Sequence, residues 1–199
     1  MTAGTARLAL KRSDAQRWVY TSENTARGLF KVAIPGTIRQ SSELRIEDGC
    51  IVPQHFVTDD GSEKGKRDSD VRFDWKAGRA TGMAEGKPVD VPLQPGLQDS
   101  LSIQIALIHE LLAGRTPSGF VMLDKDEVKD YLYTAEGNER VKTALGEHDT
   151  VIYASRRPDS DRKTLFWCAP DLGYLPVKVE RRKGTKVEWS MTMATLKRE

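Results

Sequence analysis

The stretch Leu175-Pro176-Val177-Lys178-Val179-Glu180-Arg181-Arg182-Lys183-Gly184-Thr185-Lys186-Val187-Glu188-Trp189-Ser190-Met191-Thr192-Met193 decides the fold class. Leu175, Val177 and Val179 alternate with Pro176, Lys178 and Glu180. After a turn over 181–185, Val187, Trp189, Met191 and Met193 alternate with Lys186, Glu188, Ser190 and Thr192. A period of two belongs to a strand with one face on a core and the other in water. Two such runs across a glycine-bearing turn read as an antiparallel hairpin. The Met and Trp stripe is expected to pack into the core.

The same alternation extends upstream. Ala6, Leu8 and Leu10 share one face, and Trp18 and Tyr20 follow after a turn at Ser13-Asp14. Ile38, Leu44 and Ile46 share parity, as do Val71, Phe73 and Trp75, and Val141, Thr143 and Leu145. The runs 150–155 and 163–168 are apolar on both parities, which predicts strands covered on both faces. Turn chemistry separates these runs at Pro35-Gly36, Asp48-Gly49, Glu85-Gly86, Gly137-Asn138 and Arg157-Pro158-Asp159-Ser160. The charged segment 59–70 carries no apolar side chain and reads as a mobile hairpin loop.

One segment breaks the pattern. Over 99–114, Leu101, Ile105, Ile108 and Leu112 recur at helical spacing, and Ile103, Leu107 and Leu111 form a second stripe. Asp99 is the expected N-cap, and Gly114 the stop. A helix apolar around most of its girth must be buried. The expectation is a mainly β single domain over 1–199: a strongly curved antiparallel sheet of about ten or eleven strands. It would form an incomplete barrel around this one helix.

Composition narrows the function. The chain has 199 residues with 31 Lys+Arg against 29 Asp+Glu, a net charge of +2. That balance excludes a generally basic nucleic-acid binder. Two Cys exclude a disulfide-dense scaffold and a four-cysteine zinc site. The longest apolar runs fall far short of the roughly 20 residues of a membrane-spanning helix. No basic-then-apolar leader precedes the alternation at 5–11, which fits either a cytosolic protein or an exported one with its leader trimmed.

Several motifs together resemble a known family. They are Arg72-Phe73-Asp74-Trp75, Pro95-Gly96-Leu97-Gln98-Asp99-Ser100-Leu101-Ser102, and Trp167-Cys168-Ala169-Pro170-Asp171-Leu172-Gly173-Tyr174-Leu175-Pro176-Val177-Lys178-Val179. Gly49-Cys50-Ile51-Val52-Pro53-Gln54-His55-Phe56 fits a further Gly-x-x-x-Pro-x-x-Phe segment. In this order they resemble the bacterial family catalogued as domain of unknown function 3108. The resemblance implies an exported, periplasmic protein without an assigned activity. By fold analogy it also implies the half-open barrel of periplasmic lipoprotein carriers. Cys50 and Cys168 depart from the family pattern. In an oxidising periplasm they would either pair or stand as two separate thiols.

Chemistry-bearing patterns are sparse. His55, His109 and His148 have no metal-ligand spacing, so neither metal nor cofactor is expected. There is no Gly-x-Ser-x-Gly elbow, and Ser160-Asp161-Arg162-Lys163 falls in a turn. Asp171 suits a tight turn, and Asp74 points off the apolar parity of its strand, solvated or paired with an Arg. Basic clusters at 156–157, 181–183 and 197–198 would either form a cationic lip or simply be solvated. Trp18, Tyr20, Phe73, Trp75, Trp189 and Met191 would line an apolar cavity or pack as core. The leading expectation is a non-enzymatic binder of a lipid or other apolar molecule in the barrel's concavity. The alternative is an envelope protein that binds a partner through a sheet edge or basic rim.

Overall fold

The computed structural model describes residues 4–27 and 36–198; Pro35, half of one expected turn, lies outside them. Among the described residues, fourteen strands and one α-helix follow in chain order: β1 (Gly4–Arg12), β2 (Arg17–Ala26), β3 (Thr37–Glu47), β4 (Cys50–Asp59), β5 (Ser69–Asp74), β6 (Arg79–Ala84), β7 (Lys87–Pro92), β8 (Leu97–Gln98), α1 (Ser102–Leu112), β9 (Gly119–Asp124), β10 (Glu127–Thr143), β11 (Gly146–Arg156), β12 (Arg162–Ala169), β13 (Leu175–Lys183) and β14 (Lys186–Thr192). A short 3-10 turn, Pro170–Leu172, joins β12 to β13.

The strands form two seven-stranded sheets, ordered β1-β2-β3-β4-β5-β6-β7 and β14-β13-β12-β11-β10-β9-β8. This corrects the expected single curved sheet and its incomplete barrel. Each sheet runs from one edge strand to another, and no pairing among the described residues joins the two ends of either. The reason is local. The first sheet grows by hairpins between sequence neighbours until β7, whose Pro88 and Pro92 lack the N–H groups that another strand would need. The chain then leaves through Pro95-Gly96 and starts the second sheet with β8, which pairs parallel to β9. The strands missed in the sequence lie here, in the short runs of β6 to β9, where Gly, Ala and Pro blur the alternation.

By contacts the chain divides into two compact units: residues 1–106 with 121–129, and 107–120 with 130–199. In the first unit, Val71, Phe73, Ala80, Ala84, Val89, Leu97 and Leu123 form a buried cluster, with Phe56 and Trp75 packed against it. The alternation of β5 is therefore a core face, as its parity predicts. In the second, Val141, Ala154, Leu165, Trp167, Ala169 and Val177 form the core.

The helix spans Ser102–Leu112, not the full 99–114, and only one of its two stripes is fully buried. Ile103, Leu107 and Leu111 are enclosed, Ile105 and Ile108 are half-buried, and Leu112 is 61 % exposed. The Asp48-Gly49 and Glu85-Gly86 turns have two successive positive φ angles, the geometry that suits a tight hairpin to strand twist. Gly137-Asn138 is not a turn. Gly137 marks a bulge, and β10 runs on through it, because one extra residue bends a strand without ending it. The 59–70 loop is likewise more ordered than its composition suggests. The buried Asp60 carboxylate accepts the N–H groups of Ser62 and Arg67, and its bonds with Ser62 and Arg67 hold it below its ordinary pKa. Asp68 Oδ1 in turn accepts Asp60 N–H at 2.8 Å.

Candidate functional site: the open edge of the first sheet

Strand β1 is built by its own alternation and by the turn that follows. Asp14 Oδ1 accepts the N–H groups of Gln16 and Arg17, both at 2.9 Å, and folds the chain back on itself. The register is unbroken from Gly4 opposite Ala26 to Arg12 opposite Trp18. At the turn, Ser13 N–H donates to the Arg17 carbonyl at 2.9 Å. The alternation of an antiparallel ladder then places the bonds to β2 at odd-numbered residues. The N–H and C=O groups of Ala6, Leu8 and Leu10 point the other way, along the free edge.

The side chains of this strand sit in water. Leu8 and Leu10 are each 45 % exposed. The sequence placed them on a core face; they lie on an edge instead, with a neighbour on one side only. Arg7, Lys11 and Arg12 are exposed as well. A row of cations with no acid in the strand was the signal available in the sequence, since such charges mark sheet edges.

The other three edges differ. Two prolines guard β7, and β8 has only two residues. Edge strand β14 pairs with β13 through a bulge at Arg181/Arg182. There the expected core stripe turns outward: Val187 is 44 % and Trp189 46 % exposed, with Met191 half-buried. Glu188 on β14 is held by Arg162 at 3.0 Å and Arg181 at 3.7 Å. Of the four edge strands among the described residues, only β1 is long, regular and free of proline and bulge.

The six residues expected to line a cavity have separate settings. In the first unit, Phe73 is core, and half-buried Trp75 packs against the same cluster while donating Nε1–H to the Pro53 carbonyl at 2.6 Å. Tyr20 is buried; its hydroxyl lies 3.3 Å from Gln104 Oε1, and burial pushes its pKa up to about 12. Trp18 is half-buried beneath the Arg12 guanidinium, 5.8 Å from the ring centroid. Trp189 and Met191 belong to the second unit, on β14. A depression of about 380 Å³ by the β1–β2 turn is lined by Asp14, Arg17, Glu43, Arg45 and Gln54 together with Val19 and Leu44.

The remaining polar groups hold structure. Asp99 is buried. Its Oδ1 accepts the N–H groups of Leu101 and Ser102, its Oδ2 accepts the Ser42 hydroxyl at 2.6 Å, and its own N–H donates to Ser102 Oγ. This reciprocal cap ties the start of α1 to β3. Burial raises the Asp99 pKa despite these bonds. Asp74 is exposed and caps the β5–β6 turn through the N–H groups of Lys76 and Ala77, not through an Arg. His55 pairs with Asp70 at 2.7 Å. His148 is buried and Nδ1 lies 2.8 Å from Asp171 Oδ2, while its Nε2 has no hydrogen-bond partner among the described residues.

Cys50 and Cys168 are both free thiols in this structure. Cys50 is exposed where β4 begins. Cys168 is enclosed in β12, and burial pushes its thiol up to about 12, where it stays protonated and unreactive. Of the basic clusters, Arg157 pairs with Asp159, Arg181 with Glu188, Arg182 with Glu180 and Lys183 with Asp161.

Among solved structures, the chain is similar to the crystal structure of a beta-barrel-like protein of domain of unknown function DUF1849 from Brucella abortus. The identity is 12 %, the TM-score 0.53, and the match covers 96 % of this chain and 89 % of that one. At that identity the likeness concerns the fold alone, and the barrel-like description is of that protein. No curated protein matches the chain. No helix among the described residues is long and apolar enough to cross a membrane. The sequence motifs and the match of a family model over residues 1–188 place the chain in one family: it belongs to the family described as Protein of unknown function (DUF3108).

Proposed function

We propose that this chain is a non-enzymatic binding protein of the bacterial envelope that takes an extended segment of a partner onto the free edge of β1. The observation that carries this reading is the contrast among edges. A nine-residue strand with unbroken register offers its N–H and C=O groups beside exposed Leu8 and Leu10. Proline or extreme shortness blunts two of the other edges, and a bulge interrupts the pairing of the third. Strand addition uses such an edge: main-chain hydrogen bonds supply affinity, and alternate side chains supply selectivity. The envelope location rests on the family resemblance. The non-enzymatic reading is supported by the structural duties of the candidate carboxylates: Asp74 caps the β5–β6 turn and Asp99 caps α1.

The test is photo-crosslinking in cells that export the protein. A photo-reactive phenylalanine replaces Leu10 on β1 or, as the control, Asp90 on β7. A discrete protein adduct is expected from position 10 and none from position 90. Absence of an adduct at β1, or equal adducts at both edges, overturns the reading.

A further inference from the structure

The β1 edge carries information about the chemistry of its partner. On the face of the odd-numbered β1 residues, one row of directly opposed residues crosses four strands. Asp59 on β4 lies opposite Arg39 on β3, Arg39 opposite Glu23 on β2, and Glu23 opposite Arg7 on β1. Arg39 approaches Asp59 to 3.8 Å and Glu23 to 3.9 Å. The charge alternates negative, positive, negative, positive, and the row stops at a cation on the free edge. Four residues along the same face stands Lys11, also exposed. Opposite charges across neighbouring strands attract, and like charges repel.

The other face reads differently. Ala6, Leu8 and Leu10 form an exposed apolar stripe on the same strand. An added strand meets this stripe with every second side chain and meets Arg7 and Lys11 with the residues between. The ladder parity also matters. Arg7 pairs with Glu23 through main-chain bonds, so a residue added outside Arg7 occupies a position without them, where side chains come closest.

Resting on the proposed function, we infer that the partner segment is an extended strand alternating apolar and acidic residues, its carboxylates opposite Arg7 and Lys11 and its aliphatic side chains along Ala6, Leu8 and Leu10. A second copy of β1 fits less well. The strand carries Arg7, Lys11 and Arg12 and no acid, so self-pairing would gather cations only.

The probes are two short, end-capped fluorescent peptides, one alternating valine with glutamate and one alternating valine with lysine, titrated into the full chain. The glutamate peptide is expected to bind more tightly by roughly tenfold, as two opposite-charge cross-strand pairs replace two like-charge pairs. Added salt should shrink the difference. The double variant Arg7→Glu, Lys11→Glu, at two exposed positions, should reverse the preference. Equal binding of the two peptides, or an unchanged order in the double variant, overturns the inference. If neither peptide binds while position 10 still gives its adduct, the partner class is wrong and the edge reading stands. If both tests fail, the edge reading falls with it. A dimer in sedimentation that Leu8→Pro abolishes overturns the inference in favour of a second copy.

Discussion

The two edges of the first sheet are made from the same material and finished in opposite ways. Strand β7 ends the sheet with Pro88 and Pro92, and its Val89 is buried in the core cluster. Strand β1 ends it with nine proline-free residues, and its two leucines are each 45 % exposed. A single sheet that protects one edge and leaves the other open separates two requirements. An edge must be kept from pairing at random, and a binding edge must stay available. In the proposed reading the cations of β1 meet both demands: they discourage self-pairing and select an acidic strand.

The largest effect is expected where the β7 end is joined to the rest. Gly82 on β6 has φ of 148°, and a Cβ there would stand 2.0 Å from the Asp70 carbonyl oxygen. Gly82→Ala should therefore cost roughly 3 kcal/mol or more, read as a lower urea midpoint. An unchanged midpoint would show that β6 can move away from β5 at little cost. Nearer the β1 end, Asp99→Ala removes the cap and strands the buried Ser42 hydroxyl; a loss of about 2–4 kcal/mol is expected.

The edges themselves should respond in opposite senses. Leu8→Pro removes an outward N–H and no bond to β2, so stability should change by about 1 kcal/mol or less while strand addition is lost. Pro88→Thr with Pro92→Thr should open β7, and sedimentation should then report self-association absent from the parent. A β7 that stays inert without its prolines would break the comparison.

The smallest effect concerns pH. Burial raises the folded pKa of Asp99 above its ordinary 3.8. Its protonated form is thus favoured in the fold, and that contribution is fully present below the ordinary value. It is lost as pH rises through the raised one. Asp99→Asn keeps a capping oxygen and removes the titration. Measured by urea unfolding from about pH 3.8 upward, the parent should lose stability relative to this variant.

Much of this was legible in the strand periodicity. Val71, Phe73 and Trp75 faced the core as their parity required, and the Asp48-Gly49 and Glu85-Gly86 turns fell where their residues demanded. The candidate edge was legible only in part. Leu8 and Leu10 have the spacing of a core face, and nothing local says whether a neighbour lies beyond them. The same is true of Val187 and Trp189 on β14. The cations of β1 and the prolines of β7 were the readable hints of an edge, and they needed the strand order to become one.

The sequence by itself determined the mainly β class, most of the hairpins, the apolar helix with its Asp99 cap, and the family. These depend on contacts between near neighbours, where period, turn chemistry and capping act within a few residues. Only the tertiary structure decided that the strands make two seven-stranded sheets rather than one curved sheet in an incomplete barrel. Tertiary structure also aligned Asp59, Arg39, Glu23 and Arg7 in one row. Sheet order and register are set by which distant strands pair, and alternation is blind to that choice, because an edge strand and a central one carry the same period of two.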